Sequence, residues 1–285
     1  MNKRLKGYVN TVLGRKPAGR LATVFPDDIF LVGYFRSGST WSRFLFGNYI
    51  WQDEPIDFAN LDDWVPSIYS QPDRSLRQRR RVLKSHEYFD PRYPRVIYIV
   101  RDPRDVAVSF YFYNLKVRVL PDGYPMDEFI KNFISAKVVD YANIVGTWEE
   151  HVTSWLRMRR GKNNFCLVRY EDLLADPGAQ LKRVSPMLRI EPTPERIERA
   201  IKLSSAQHMR SLEKSQWKKW VTTKDTRSDI PFVREAKSGG WRNRLSEASV
   251  RNIEEAWGPT MKELGYELVS GSEQPSLERD LEPQL

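Results

Sequence analysis

Residues 28–35, DIFLVGYF, are apolar through the middle and break at Gly33. A short continuous apolar run predicts a buried strand. The next stretch, TWSRFLFGNYIW at 40–51, meets neither Gly nor Pro before Gly47, which predicts a helix. Three further β-rich runs follow: RRVLKS at 80–85, RVIYIV at 95–100 and NFCLVRY at 164–170. After the run at 95–100, DVAVSFYFYNLKV opens on Asp105, a favourable N-cap, and predicts a helix; EDLLADP, also helical in pattern, follows the run at 164–170. The C-terminal third reads as mainly helical, in TPERIERAIKL, SSAQHMRSLEK and SEASVRNIEEAWGPTMKELGY. Strands alternating with helices predict an α/β fold, with a mostly parallel central sheet flanked by helices. No repeat or compositional break splits it. The expected organisation is a basic segment at 1–24, one domain at 25–268, and a polar, acidic, disordered tail at 269–285.

Composition narrows the picture. The chain has 285 residues, 40% of them hydrophobic, with nine tryptophans, enough for a core without disulfides or metal. One cysteine, Cys166, allows no internal disulfide; it lies in an apolar run and reads as a buried structural thiol, which fits a reducing compartment. The first twenty residues are basic without an apolar stretch, so they are not a Sec signal. No run approaches the ~20 apolar residues of a spanning helix, and a soluble, cytoplasmic protein is expected. A net charge of +9 favours an anionic partner: nucleic acid, an anionic membrane or a polyanionic small molecule. Histidines 86, 151 and 208 are far apart, and no Cys/His/carboxylate cluster has metal-ligand spacing, so no metal is expected.

Four segments carry candidate chemistry. GYFRSGSTW, 33–41, has the two glycines and the Ser-Thr pair of a nucleotide-triphosphate loop, but Ser39 stands where that loop requires lysine. No convincing Walker-B carboxylate follows a strand, so the segment is poorly equipped for triphosphate hydrolysis. It retains backbone amides, the hydroxyls of Ser37, Ser39 and Thr40, and Arg36 as a movable charge; a plain Gly-containing turn is the alternative. In IVRDPRDVAVS, Arg101 follows a strand and Ser109 lies two helical turns on, which places Arg101 for a second phosphate unless the RDPRD charges simply pair. LKSHEYF places Lys84 and His86 on one face at a strand end, where His86 is a general-base candidate. FVREAKSGGWR, 232–242, resembles a basic lid.

Together these segments resemble the cytosolic sulfotransferases that use 3′-phosphoadenylyl sulfate (PAPS). That family's P-K-S-G-T-T-W is matched by residues 35–41, and its K-T-H by Lys84, Ser85 and His86. Its R-N-x-x-D-V-A-V-S-x-Y is matched by 101–111, and its G-S-W-x-x-H-V-x-x-W by Gly146, Thr147, Trp148, His151, Val152 and Trp155. Its Y-E-D is matched by Tyr170, Glu171 and Asp172, and its late glycine-containing basic segment by 234–242. The matches run in order from about residue 30 to 265. The resemblance implies that Ser37, Gly38, Ser39 and Thr40 wrap the 5′-phosphosulfate while Trp41 stacks on adenine. It further implies that Arg101, Ser109 and Arg234 hold the 3′-phosphate, and that Tyr170 and Ser204 touch the nucleotide. His86 would take the acceptor's proton, and Lys84 and Arg36 would stabilise charge on the transferring group and leaving oxygen. The expected partners are PAPS, its product PAP and a small-molecule acceptor bearing a hydroxyl or, less often, an amine. No nucleic-acid partner or metal is expected.

The chain departs from the family at Arg36 for lysine, although related carbohydrate sulfotransferases carry arginine there. Glu235 and Ala236 stand where Lys and Gly are usual; Glu235 is expected to point away from a 3′-phosphate, with Lys237 compensating. The family's dimer motif aligns with Arg242, Ser246, Glu247 and Arg251 but changes in three features, leaving monomer or dimer open. His151 is expected to pack or hydrogen-bond within its helix, and His208 to lie on a helix surface or beside the nucleotide without touching it. The basic run at 74–84 reads as a solvated face leading into a catalytic strand. Acceptor-binding loops are expected around 52–72, 114–145 and 222–236. A degenerate P-loop kinase and a non-catalytic phosphonucleotide-binding module are the competing functions.

Overall fold

The computed structural model describes residues 23–69, 81–138, 145–220 and 222–270. The basic segment through residue 22, the basic stretch at 74–80, the tail from 271, and positions 70–72 and 139–144 of the expected acceptor loops lie outside the described residues.

Four strands, β1 (Ile29–Gly33), β2 (Val82–Ser85), β3 (Arg95–Val100) and β4 (Phe165–Arg169), form a wholly parallel sheet in the order β2-β1-β3-β4. The helices are α1 (Ser39–Ile50), α2 (Leu61–Trp64), α3 (Pro103–Lys116), α4 (Met126–Ile134), α5 (Trp148–Arg159), α6 (Tyr170–Ala175), α7 (Pro177–Leu188), α8 (Pro194–Leu203), α9 (Ala206–Gln216) and α10 (Glu247–Glu263). A 3₁₀ turn spans Gly240–Asn243.

The strands are apolar at nearly every position because both faces of the sheet are covered. Phe30, Val32, Tyr98 and Val100 enter a core closed by α3, α4, α5 and α10; Ile29, Leu31, Ile97 and Ile99 enter a second closed by α1, α7 and α8. At Gly33 a Cβ would lie 2.6 Å from the Ile99 carbonyl oxygen, so β1 ends beside β3 only with glycine there. The chain runs from β1 to β2 on one side, then crosses to β3 on the other. A crevice opens where strand order reverses in this way, outside the carboxyl ends of the strands.

Two boundaries differ from the sequence expectation. The first strand stops at Gly33, and 34–38 peel away as a loop. Asp105 is not the N-cap of α3: Asp102 accepts from the Arg104 amide at 2.9 Å, and Pro103 takes the first helical position, where its missing N–H costs nothing. Asp105 is thereby free for another task, described below.

Candidate active site

All four strands deliver candidate residues to one edge. After β1, Arg36 and Gly38 adopt left-handed φ of 64° and 97°. Gly38 caps α1 without a side-chain hydrogen bond, and a Cβ there would fall 2.5 Å from the Tyr170 ring. The first amides of α1 therefore face the crevice without a capping oxygen, as an anion site requires. Arg36, Arg101 and Arg234 converge on this cleft of about 230 Å³, which Gly38, Ser39, Thr40, Trp41, Ser109, Tyr170 and Ser204 also line.

Arg36 donates Nε–H to Ser109 Oγ at 3.2 Å, and its guanidinium lies 4.7 and 4.9 Å from the ring centres of Tyr113 and Phe232. Burial pushes the Arg36 pKa down to about 10, and Arg234 and Arg101 add to it. Arg234, packed 4.4 Å from the Phe112 ring centre, is also pushed down to about 10, by burial first and neighbouring cations after. Arg101 stacks on Tyr170 at 4.2 Å and donates to the Lys237 carbonyl at 3.0 Å. Crowded cations of this kind gain from an anion among them. Among the described residues, the buried side-chain atoms without a hydrogen-bond partner include Arg101 Nε and Ser204 Oγ in the cleft lining and Ser37 Oγ in the loop beside it. Orphaned polar atoms at a cationic cleft fit the phosphate oxygens of a nucleotide.

The charges of RDPRD divide between two surroundings. Arg104 pairs with Asp102 at 2.7 Å and with Glu254 at 2.5 Å, while Arg101 stays at the cleft, 3.9 Å from Asp105. Trp41 donates Nε1–H to the Ser204 carbonyl at 2.9 Å and meets Tyr170 edge-on.

Lys84 lies on β2 and His86 directly after it. His86 is 4% exposed, and its Nδ1 lies 2.5 Å from the Gly33 carbonyl. A carbonyl only accepts, so Nδ1 carries the proton and Nε2 keeps its lone pair. Burial, then the Lys84 charge, hold His86 well below its ordinary pKa, so it is neutral near pH 7. Lys84 is pushed down to about 7 by burial, with Arg43 and Arg36 adding and Asp62 opposing. Phe35 packs on the His86 ring at 4.4 Å, and the Tyr69 hydroxyl oxygen accepts from the His86 amide at 3.1 Å.

Sequence reasoning missed the side chains that hold the segment from 227 to 241, which contains the expected lid. Lys116 Nζ donates to the carbonyls of Arg227 and Ile230 at 2.7 and 2.6 Å, and Glu213 accepts from the amides of Phe232 and Val233 at 2.5 and 2.9 Å. The Arg210 guanidinium donates to the Val233, Arg234 and Glu235 carbonyls. Asp105 accepts from the amides of Gly239 and Trp241 at 2.7 and 3.1 Å. Glu235 lines the cleft but is drawn to Arg244 at 3.3 Å. His151 packs in the core as expected, but its ring bonds outside its helix, spanning from Tyr98 to the His86 carbonyl. His208 is half-buried on α9 and is not among the residues lining the cleft.

A model of the sulfotransferase domain matches residues 26–265, and the chain belongs to that family, whose sulfuryl donor is PAPS. It is 26% identical over 248 residues to a 3-beta-hydroxysteroid sulfotransferase of Cavia porcellus, covering 82% of this chain and 84% of that one. It is also 26% identical over 257 residues to sulfotransferase 1E1 of Rattus norvegicus, covering 84% of each. Among solved structures, mouse sulfotransferase SULT7A1 complexed with PAP superposes with a TM-score of 0.65 at 22% identity, over 86% of each chain. Retinol dehydratase in complex with androsterone and inactive cofactor PAP gives 0.64 at 20% identity, over 84% of this chain and 82% of that one. These likenesses place the fold among the sulfotransferases. No described helix is long and apolar enough to cross a membrane, and among the described residues no group of three His, Cys, Asp or Glu is placed to hold a metal.

Proposed function

We propose that this chain transfers the sulfuryl group of PAPS to the hydroxyl of a small, ring-bearing, largely apolar acceptor, with His86 as general base. The supporting observation is a cradle of cations and orphaned donors next to a neutral histidine whose tautomer is set. Ser37 to Thr40 with the first amides of α1 would hold the 5′ end, and Arg101, Ser109 and Arg234 the 3′-phosphate; Trp41, Tyr170 and Ser204 line the space between. When bound, PAPS supplies the sulfuryl group and an anionic leaving group, so no metal is required. His86 takes the acceptor's proton at Nε2, while Lys84 and Arg36 offset the charge that develops opposite it. An apolar acceptor is supported by the rings near His86 and Arg36, namely Phe35, Phe110 and Tyr113. A relative named for 3-beta-hydroxysteroids points the same way.

The test is a screen of phenols, sterols, sugars and amines with labelled PAPS, reading sulfated products by mass. His86→Ala should abolish transfer while PAP still raises the melting temperature without Mg²⁺. Stabilisation by ATP·Mg²⁺ but not by PAP would refute the proposal.

A further inference from the structure

The segment G-T-W-x-x-H-V-x-x-W has no place in the chemistry above, yet its side chains converge on the loop that carries His86. His151 and Trp155 are fully buried, one helical turn apart on α5. His151 Nε2 lies 3.1 Å from the His86 carbonyl oxygen, and Trp155 Nε1–H donates to the Glu87 carbonyl at 2.9 Å. Arg159, the next residue on the same stripe, donates to the carbonyls of Pro91 and Tyr93 at 3.3 and 2.6 Å. Ser154, on the adjoining face, accepts from the Phe89 amide at 3.2 Å. Residues four apart stack along one helix face, so α5 presents a row of donors matched to consecutive stretches of main chain.

The His151 ring is itself fixed. Its Nε2 must donate to the His86 carbonyl, so Nδ1 accepts from the Tyr98 hydroxyl of β3 at 2.7 Å. Burial pushes the His151 pKa down to about 3, which keeps this tautomer across the neutral range. At the helix start, Thr147 and Glu150 form a reciprocal capping box that anchors the row. Ordinary core packing would let these donors satisfy any buried acceptor. Here they meet the carbonyls of His86 and its immediate neighbour, while the His86 amide and ring are held separately by Tyr69 and Gly33.

We propose that α5 is a splint for the general base: His151 and Trp155 are positioning residues that fix the carbonyls of His86 and Glu87 and so aim His86 Nε2 at the acceptor. This rests on the reading of His86 as the base. A displacement on the order of 1 Å at a reacting group costs about 100-fold in rate, so a loosened splint should appear in kcat.

The experiment compares His151→Ala, His151→Gln, Trp155→Phe and Tyr98→Phe with the unaltered enzyme, using an acceptor from the screen. His151→Ala and Trp155→Phe should each lower kcat by roughly 10- to 100-fold, with the KM for PAPS and the melting shift caused by PAP unchanged. His151→Gln, which can both donate and accept, should recover most of the loss, and Tyr98→Phe should fall between. Trp155→Phe and Tyr98→Phe keep the ring framework, so they decide the matter if His151→Ala does not fold. Unaltered kcat in both, or a loss of kcat matched by loss of PAP binding, overturns the splint. Transfer by His86→Ala would instead overturn the base assignment, a result distinguishable from either.

Discussion

Arg36 stands where the family loop carries lysine, and its surroundings show what a guanidinium does there that an ammonium does not. The flat group sits against two rings, Tyr113 and Phe232, while Nε–H reaches Ser109. A planar cation can stack on a ring and hydrogen-bond in its own plane at once; a lysine tip offers charge without that geometry. Two contributions are therefore separable, the charge and the plane. Arg36→Lys should keep kcat within about tenfold of the unaltered enzyme, whereas Arg36→Ala should lose about 100-fold or more, the usual cost of removing one stabilising donor from a reacting centre. Steady-state rates at saturating PAPS measure both. Equal losses in the two variants would mean that the planar contacts, not the charge, carry the effect.

The segment from 227 to 241 is an element without regular structure until its 3₁₀ turn, and charged side chains read its main chain instead. Asp105 is the clearest case: 4% exposed, it accepts the amides of Gly239 and Trp241 and so brings the lid against α3. Asp105→Ala would leave both amides without their acceptor and should cost about 2–3 kcal/mol in unfolding free energy. Hydrogen exchange at those amides should quicken; unchanged exchange would show that the lid is held elsewhere. The strands were legible in the sequence because burial on both faces leaves continuous apolar runs. Arg101, Asp105 and Ser109 were legible as a motif, and their spacing of four explains why they share one face of the turn into α3 and its first coils. Asp105's task was not legible, because its acceptors' partners lie more than 130 residues away. Lys116, Arg210 and Glu213 were missed for the same reason: each serves backbone groups whose position only the assembled fold defines. The helix α4, and the role of His151, likewise depend on what α3, α5 and the loop after β2 present to one another.

At the scale of the whole molecule, the net charge of +9 matters less than where the buried cations lie. Arg36, Arg101, Arg234 and Lys84 are gathered at one edge of the sheet, and burial weakens the hold of Lys84 on its proton, to a pKa of about 7. In the ligand-free fold this depressed base opposes stability below pH 7, a cost relieved as pH rises from 7 toward the 10.5 of an unfolded lysine. Nucleotide binding reverses the balance. An anion beside Lys84 favours the ammonium, so the bound pKa exceeds 7 and PAP binding at pH 8 should take up a fraction of a proton. Phosphate groups, with a second pKa of about 6, are already ionised at pH 8 and contribute little. Affinity should then fall as pH rises above 7 and be insensitive to Lys84 below it. Calorimetric titration of PAP at pH 8 in phosphate and in Tris tests this, because the two buffers release a proton with different heats. Distinct apparent enthalpies that become equal in Lys84→Met are expected. Equal enthalpies in the unaltered protein would show that Lys84 keeps one protonation state through binding, and that the cations of the cleft act on the nucleotide as fixed charges.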